Sequence, residues 1–182
     1  MSSNTSRRQF LGRTVAVGAG FGVWSGRSPV LRANESALQG LSAACIGVGG
    51  KGSSDTSHIA EQGVSIVGLC DVDGGTLDKK SREFPNAGKF NDFREMLEQL
   101  GDKIDIVTVS TPDHTHAVAA LKAMQMKKHV YCQKPLTWSI HEARLMRETA
   151  EQMGVVTQMG NQGTSENGLR EAVEVIRSGA IG

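Results

Sequence analysis

Aromatic side chains are scarce: two tryptophans, one tyrosine and five phenylalanines in 182 residues. That is too few for the stacking platforms that bind unpaired bases. An excess of one charge is missing too. Twenty Lys and Arg against nineteen Asp and Glu leave a formal net charge of +1, so there is no electrostatic footprint for nucleic acid or an anionic membrane. Cysteine is reduced to Cys45, Cys70 and Cys132. An odd count excludes a fully paired intramolecular disulfide set. With no C-x-x-C spacing, and with each in an expected strand, the three read as small buried core residues. His114 and His116 are one residue apart, and no nearby Cys/His/Glu set completes a metal site, so no metal is expected. No apolar run is long enough for a membrane span, and no internal repeat or low-complexity segment stands out.

What is present begins at the N-terminus. Ser6-Arg7-Arg8-Gln9-Phe10-Leu11 resembles a twin-arginine export signal, and residues 14–24 supply a short, glycine-diluted apolar stretch behind it. The alternative is a basic tail without a targeting role. Residues 1–36 are therefore read as signal and linker, residues 37–182 as the folded domain, and export to the periplasm is expected.

The run Ala43-Ala44-Cys45-Ile46-Gly47-Val48-Gly49-Gly50-Lys51-Gly52 follows with more specific content. A short apolar run suits a buried parallel strand. Gly47, Gly49 and Gly52 then fit G-x-G-x-x-G: a tight turn, a close approach to a pyrophosphate, and close helix–strand packing. The next apolar run, residues 64–70, ends at Asp71 at the spacing of a ribose-binding acid. The reading is a dinucleotide site; the alternative is an ordinary strand–helix turn. A nucleoside-triphosphate loop is excluded, because Lys51 precedes Gly52 and Ser53 follows it, whereas that loop needs Gly-Lys-Ser/Thr.

Strand and helix patterns alternate through the rest. Helices are expected over 53–62, 74–84, 92–100, from Pro112, 139–153 and 166–178, and strands over 41–46, 64–70, 88–90, 104–110, 128–132 and 155–159. Six short strands alternating with helices predict an α/β fold with a doubly wound parallel sheet of the Rossmann type, in the order 3-2-1-4-5-6. Loops 47–52, 111–116 and 133–137 then open on one carboxyl edge. Asp71, or Asp73 beside it, would accept hydrogen bonds from the adenosine ribose and repel a 2′-phosphate, so NAD is expected over NADP. Lys134 would project toward the nicotinamide end, where a cationic ring disfavours an ammonium and suits the amine to proton transfer. An ordinary Lys-Pro turn is the alternative there, as a plain helix start is for His114.

Gly47-Val48-Gly49-Gly50-Lys51-Gly52, Cys70-Asp71-Val72-Asp73, Thr111-Pro112 with His116, and Lys134-Pro135 together resemble the Gfo/Idh/MocA oxidoreductases. The likeness runs from about Leu41 to Gly182. It implies that Gly47, Gly49, Gly50 and Gly52 bind the pyrophosphate of NAD and Asp71 its ribose. It implies that Thr111, Pro112 and His116 line the nicotinamide side. Lys134 matches the Lys of the family's Glu-Lys-Pro motif, which contacts the nicotinamide ribose and the reacting hydroxyl of a sugar or polyol. There are departures: Gln133 stands where many members have Glu, and Trp138 and Thr164 stand where His is expected. Family members continue into a second α/β domain that supplies most substrate contacts and the usual homo-oligomer interface; that domain is expected to be absent here. The expected activity is NAD-dependent oxidation of a sugar or polyol hydroxyl by the full-length protein. The alternatives are a non-catalytic nucleotide-binding fragment, or a redox-neutral epimerase or glycosidase that uses tightly held NAD.

Overall fold

The computed structural model describes residues 40–181; residues 6–11, and the boundary expected near residue 36, lie outside the described residues. Strands β1 (Ser42–Ile46), β2 (Ser65–Cys70), β3 (Gly88–Phe90), β4 (Ile106–Val109), β5 (His129–Gln133) and β6 (Thr157–Gly160) form one sheet. Their order is β3-β2-β1-β4-β5-β6 and every neighbouring pair is parallel, as the sequence predicts. Helices α1 (Gly50–Glu61), α2 (Gly74–Ser81), α3 (Phe93–Leu100), α4 (Asp113–Gln125), α5 (Ile140–Met153) and α6 (Asn167–Arg177) alternate with the strands. The order reverses between β1 and β4, so the crevice where ligands enter such sheets lies over the carboxyl ends of those two strands.

Strand alternation sorts the core into two clusters. Ala43 and Cys45 of β1 join Val64, Ile66, Leu69 and Leu77 on one side. Ala44 and Ile46 face the other side, with Met96, Leu97, Val107, Ala120 and Met124. The helices between strands start on local caps: Asp73 accepts from the Thr76 amide at 2.5 Å, Asp92 from the Arg94 amide at 2.8 Å, and Ser139 from the Glu142 amide at 3.3 Å. Gly154 closes α5 in the left-handed conformation, with φ of 66°.

Several boundaries differ from expectation; α2 stops at Ser81 instead of 84, and β6 spans Thr157–Gly160 instead of 155–159. β4 begins at Ile106 because a 3₁₀ turn over Gly101–Lys103 carries on into Ile104, whose amide donates to the Gly101 carbonyl at 3.3 Å. The Asp105 carboxylate then anchors the strand entry by accepting from the Ser42 amide at 2.8 Å. α1 begins at Gly50, so part of the glycine run is helix. α6 follows a second 3₁₀ turn, Gln162–Ser165, and buries none of its residues; Leu169, Val173 and Ile176 remain exposed.

All three cysteines are buried and unpaired. Burial pushes the Cys70 and Cys132 thiols up to about 12, and raises Cys45 as well. The thiolate is the reactive form. The folded chain is therefore expected to be inert to a thiol-specific disulfide reagent at mildly alkaline pH, and to react at all three cysteines once denatured. Rapid reaction in the native state would contradict the packing.

Candidate functional site

The glycine loop leaves β1 by a turn that only glycine allows. Gly47 has φ of +78° and its amide donates to the Cys70 carbonyl at 2.8 Å. A Cβ there would lie 2.7 Å from the Ser110 carbonyl oxygen. Gly52, in the first turn of α1, rests directly on the loop: its Cβ would lie 1.9 Å from the Gly47 carbonyl oxygen. A Cβ on Gly49 would crowd Thr76 at the start of α2. A Cβ on Gly50 would meet nothing within 4 Å. Gly49 occupies the cap position of α1 with no side-chain cap, and the first turn carries no acid. The amides there are thus open to an anion, with the helix dipole in its favour.

Asp71 follows β2 and is partly buried. Its Oδ2 accepts from the Val48 amide at 2.9 Å and its Oδ1 from the Asp73 amide at 3.0 Å. The carboxylate therefore ties the glycine loop to the end of β2. Each oxygen keeps a lone pair for a hydroxyl donor. Asp73, the other acid considered, is committed elsewhere: it caps α2, and the Thr76 hydrogen bonds hold its carboxyl below the usual range. Gly47, Gly49, Asp71, Phe93, Thr111 and His114 are among the walls of a cleft of about 550 Å³.

The sequence reading missed one wall. Asn91, Asp92, Phe93 and Arg94 follow β3 and close the Asp71 side of the cleft. Asn91 donates to the Asp71 carbonyl at 2.9 Å, and Arg94 is forked onto Asp92, its closest approach 2.7 Å. The signal was available, because β3 was expected beside β2 and its following loop opens on the same edge.

Thr111 and Pro112 border the cleft. The Thr111 hydroxyl oxygen is buried and has no hydrogen-bond partner among the described residues. His116, in contrast, does not line the cleft. It is 1% exposed, with Nε2 2.7 Å from the Thr111 carbonyl oxygen and Nδ1 2.8 Å from that of Pro135. It staples the loop after β4 to the turn after β5, because the first turn of α4 aims position 116 inward and leaves His114 at the rim. Lys134 sits on that turn, exposed, followed by a cis peptide bond to Pro135. Among the described residues its amine has neither an ion pair nor a hydrogen bond. Gln133 before it is buried, and Trp138 after it is exposed and donates to Glu142 at 3.0 Å. Thr164 lies in the second 3₁₀ turn. No three His, Cys, Asp or Glu side chains converge among the described residues.

These residues fit a dinucleotide: open amides at an uncapped helix start, an acid at the end of β2, and an orphaned hydroxyl on the far lip of the same cleft. Residues 41–161 match the Gfo/Idh/MocA oxidoreductase family, NAD-binding Rossmann fold. The inositol 2-dehydrogenase of Salmonella typhimurium is 29% identical over 149 residues, covering 78% of this chain and 43% of that protein. A glycosyl hydrolase family 109 protein of Shewanella woodyi is 35% identical over 116 residues, covering 58% of this chain and 24% of that protein. Among solved structures, myo-inositol 2-dehydrogenase from Lactobacillus plantarum matches with a TM-score of 0.69 and 26% identity, covering 78% of this chain and 42% of its own. An oxidoreductase from Agrobacterium radiobacter, solved with NAD+, L-tartaric acid and magnesium, matches with a TM-score of 0.67 and 25% identity over 79% of this chain and 42% of its own. This chain thus spans less than half the length of each of these relatives. Its sheet order, its glycine loop and the match over residues 41–161 together mean that the chain belongs to the Gfo/Idh/MocA oxidoreductase family, and that the dinucleotide its Rossmann fold binds is NAD.

Proposed function

We propose that this chain is the cofactor-binding part of a longer NAD-dependent oxidoreductase that acts on a hydroxyl of a sugar or polyol. The observation that carries the reading is Lys134: an exposed amine without a partner among the described residues, on a turn stapled by His116 to the loop that lines the cleft. Bound NAD supplies the hydride acceptor. Lys134 takes the proton of the hydroxyl as the carbon is oxidised, and Thr111 offers its unpartnered hydroxyl to the bound dinucleotide. Asp71 holds the ribose hydroxyls and rejects a 2′-phosphate by like charge. Gly47, Gly49, Gly50 and Gly52 hold the pyrophosphate. The inositol dehydrogenase names among its relatives support a polyol as the substrate class. Most substrate contacts, and a homo-oligomer interface, would come from the remainder of the protein.

The Arg7-Arg8 segment supports export by the twin-arginine route, with cofactor loaded before crossing. Free NAD is scarce outside the cytoplasm, so the protein would hold its cofactor and regenerate it in place. That, together with the 35% identity to a protein named glycosyl hydrolase family 109, favours a second reading in which the substrate is oxidised only transiently and glycoside cleavage leaves no net NADH.

Three measurements test these readings. The chain alone is expected to bind NAD about tenfold or more tightly than NADP, from the hydrogen bonds a carboxylate makes to ribose hydroxyls. Joined to a substrate domain, it is expected to reduce NAD with a polyol, and Lys134→Ala to slow that step by about 100-fold or more with a smaller loss of NAD affinity, about tenfold at most, from its contact to the nicotinamide ribose. Release of the leaving group from a nitrophenyl glycoside without NADH accumulation would select the second reading. Equal affinity for NADP would defeat the role of Asp71, and full activity in Lys134→Ala would defeat that of the lysine.

A further inference from the structure

Asp55 lies on the inward face of α1 and is only 8% exposed. A charged side chain is rarely that buried unless it is paired. Here every partner is a donor. Oδ1 accepts from Lys51 Nζ at 2.8 Å, one helical turn back. Oδ2 accepts from Ser110 Oγ at 2.9 Å and from Gln133 Nε2 at 2.9 Å. The three partners come from the three segments that frame the crevice. Lys51 lies inside the glycine run, Ser110 immediately precedes Thr111, and Gln133 immediately precedes Lys134.

Gln133 carries the connection onward. It is 5% exposed, and its Oε1 accepts from the Lys134 backbone amide at 3.1 Å. The amide thus has a fixed sense, with its donor end on the acid and its acceptor end on Lys134. Asp55 itself does not border the 550 Å³ cleft. We infer that Asp55 is a positioning residue: through the Gln133 amide it sets the backbone from which Lys134 presents its amine, and through Ser110 it sets the adjoining Thr111. The inference rests on the reading of Lys134 as the proton acceptor. It also explains locally why an amide, and not a second carboxylate, stands at position 133 in this chain. A glutamate there would place its oxygen against Oδ2 of Asp55, a contact two carboxylates can keep only by sharing a proton.

The pairing makes a specific demand on substitutions. In Asp55→Asn one acceptor becomes an N–H, which faces either the Lys51 ammonium or the Gln133 N–H group. With its oxygen kept on Gln133 the asparagine displaces only the half-exposed Lys51, so the informative single variant is Asp55→Leu, which removes both acceptors, frees the Gln133 side chain to turn and so breaks its bond to the Lys134 amide. In Gln133→Glu two carboxylates meet, and the contact holds only while one of them is protonated. In the exchanged pair, Asp55→Asn with Gln133→Glu, every contact is restored. The side-chain amide now at position 55 donates to the carboxylate now at position 133. That carboxylate accepts from the Lys134 amide with its other oxygen, and the amide oxygen at position 55 still accepts from Lys51. Ser110 can rotate its hydroxyl to accept instead of donate.

The test is hydrogen exchange at the Lys134 backbone amide, resolved by NMR in the chain without cofactor or substrate. Asp55→Leu is expected to speed that exchange by at least about tenfold, and Gln133→Glu to do so once the carboxylate pair is unprotonated, while the amides of the β4 ladder are unchanged. The exchanged pair is expected to return it to within about threefold of the original. An unchanged rate in Asp55→Leu overturns the inference, and so does an exchanged pair no better than the worse single variant. If a single variant fails to fold, the comparison of the exchanged pair with the original decides: protection kept sustains the inference, protection lost or a pair that does not fold overturns it. The functional reading fails by different observations, absent NAD binding or activity without Lys134, neither of which alters the exchange pattern.

Discussion

Gly52→Ala is expected to destabilise the domain by about 3 kcal/mol and to remove measurable NAD binding. The added methyl would sit 1.9 Å from the Gly47 carbonyl oxygen, a backbone atom that cannot rotate away. Relief requires α1 to lift from the loop, and the same movement takes its open N-terminal amides away from the pyrophosphate. For a domain of this size the melting temperature should fall by roughly 10 °C. Gly50→Ala is the matched control. A Cβ there meets nothing within 4 Å, and only the φ of +49° is unfavourable, so a loss of about 1 kcal/mol is expected. Thermal melts and a calorimetric NAD titration of both variants check the contrast. Equal melting temperatures would mean that the loop and helix do not pack as described.

The second large effect is expected at Asp71. Asp71→Asn should weaken NAD by about 10- to 100-fold, the range for hydrogen bonds to a charged group, and should leave NADP affinity unchanged or improved. Two losses combine. The carboxylate takes the Val48 amide on one oxygen and the Asp73 amide on the other. An asparagine can accept only one of them and faces the other with its own N–H. The glycine loop therefore loosens as the ribose loses an acceptor, and the charge that repels a 2′-phosphate disappears. Parallel titrations with the two dinucleotides read the result. A variant that loses both equally would reduce Asp71 to a loop anchor.

The sheet was legible because each strand is a short apolar run closed by a turn residue, and because alternation with helices leaves few topologies. The glycine loop and Asp71 were legible for a related reason, as both follow a buried strand at a set distance. What stayed hidden depends on which way a helix turns. Asp55 reads as one more polar residue on a polar helix, and its partners Ser110 and Gln133 are 55 and 78 positions away. Position 55 does share a helical face with Gly52 and Ile59, but a lone carboxylate on that face does not reveal its distant partners. His116 shows the converse. The sequence places it beside the loop after β4, yet its imidazole lies beneath that loop, held between two carbonyls. The wall after β3 was missed because Gly88-Lys89-Phe90 has too few residues to draw attention to the loop behind it.

The placement of the thiols has a consequence for where such a chain can live. Cys45 and Cys70 stand on adjacent strands but belong to opposite faces of the sheet. Cys132 shares a face with Cys70, but β1 and β4 lie between their strands, which sets them roughly 14 Å apart at the usual strand spacing. A disulfide needs Cα atoms within about 7 Å and Cβ atoms that converge; Cys45 faces away from both other thiols and Cys132 is out of reach of Cys70, so none of the three pairs can close without dismantling the sheet. Nor does the fold need a bridge to hold it. Oxidising and reducing surroundings therefore present this domain with the same covalent structure, and a chain folded on one side of a membrane would keep its core chemistry on the other.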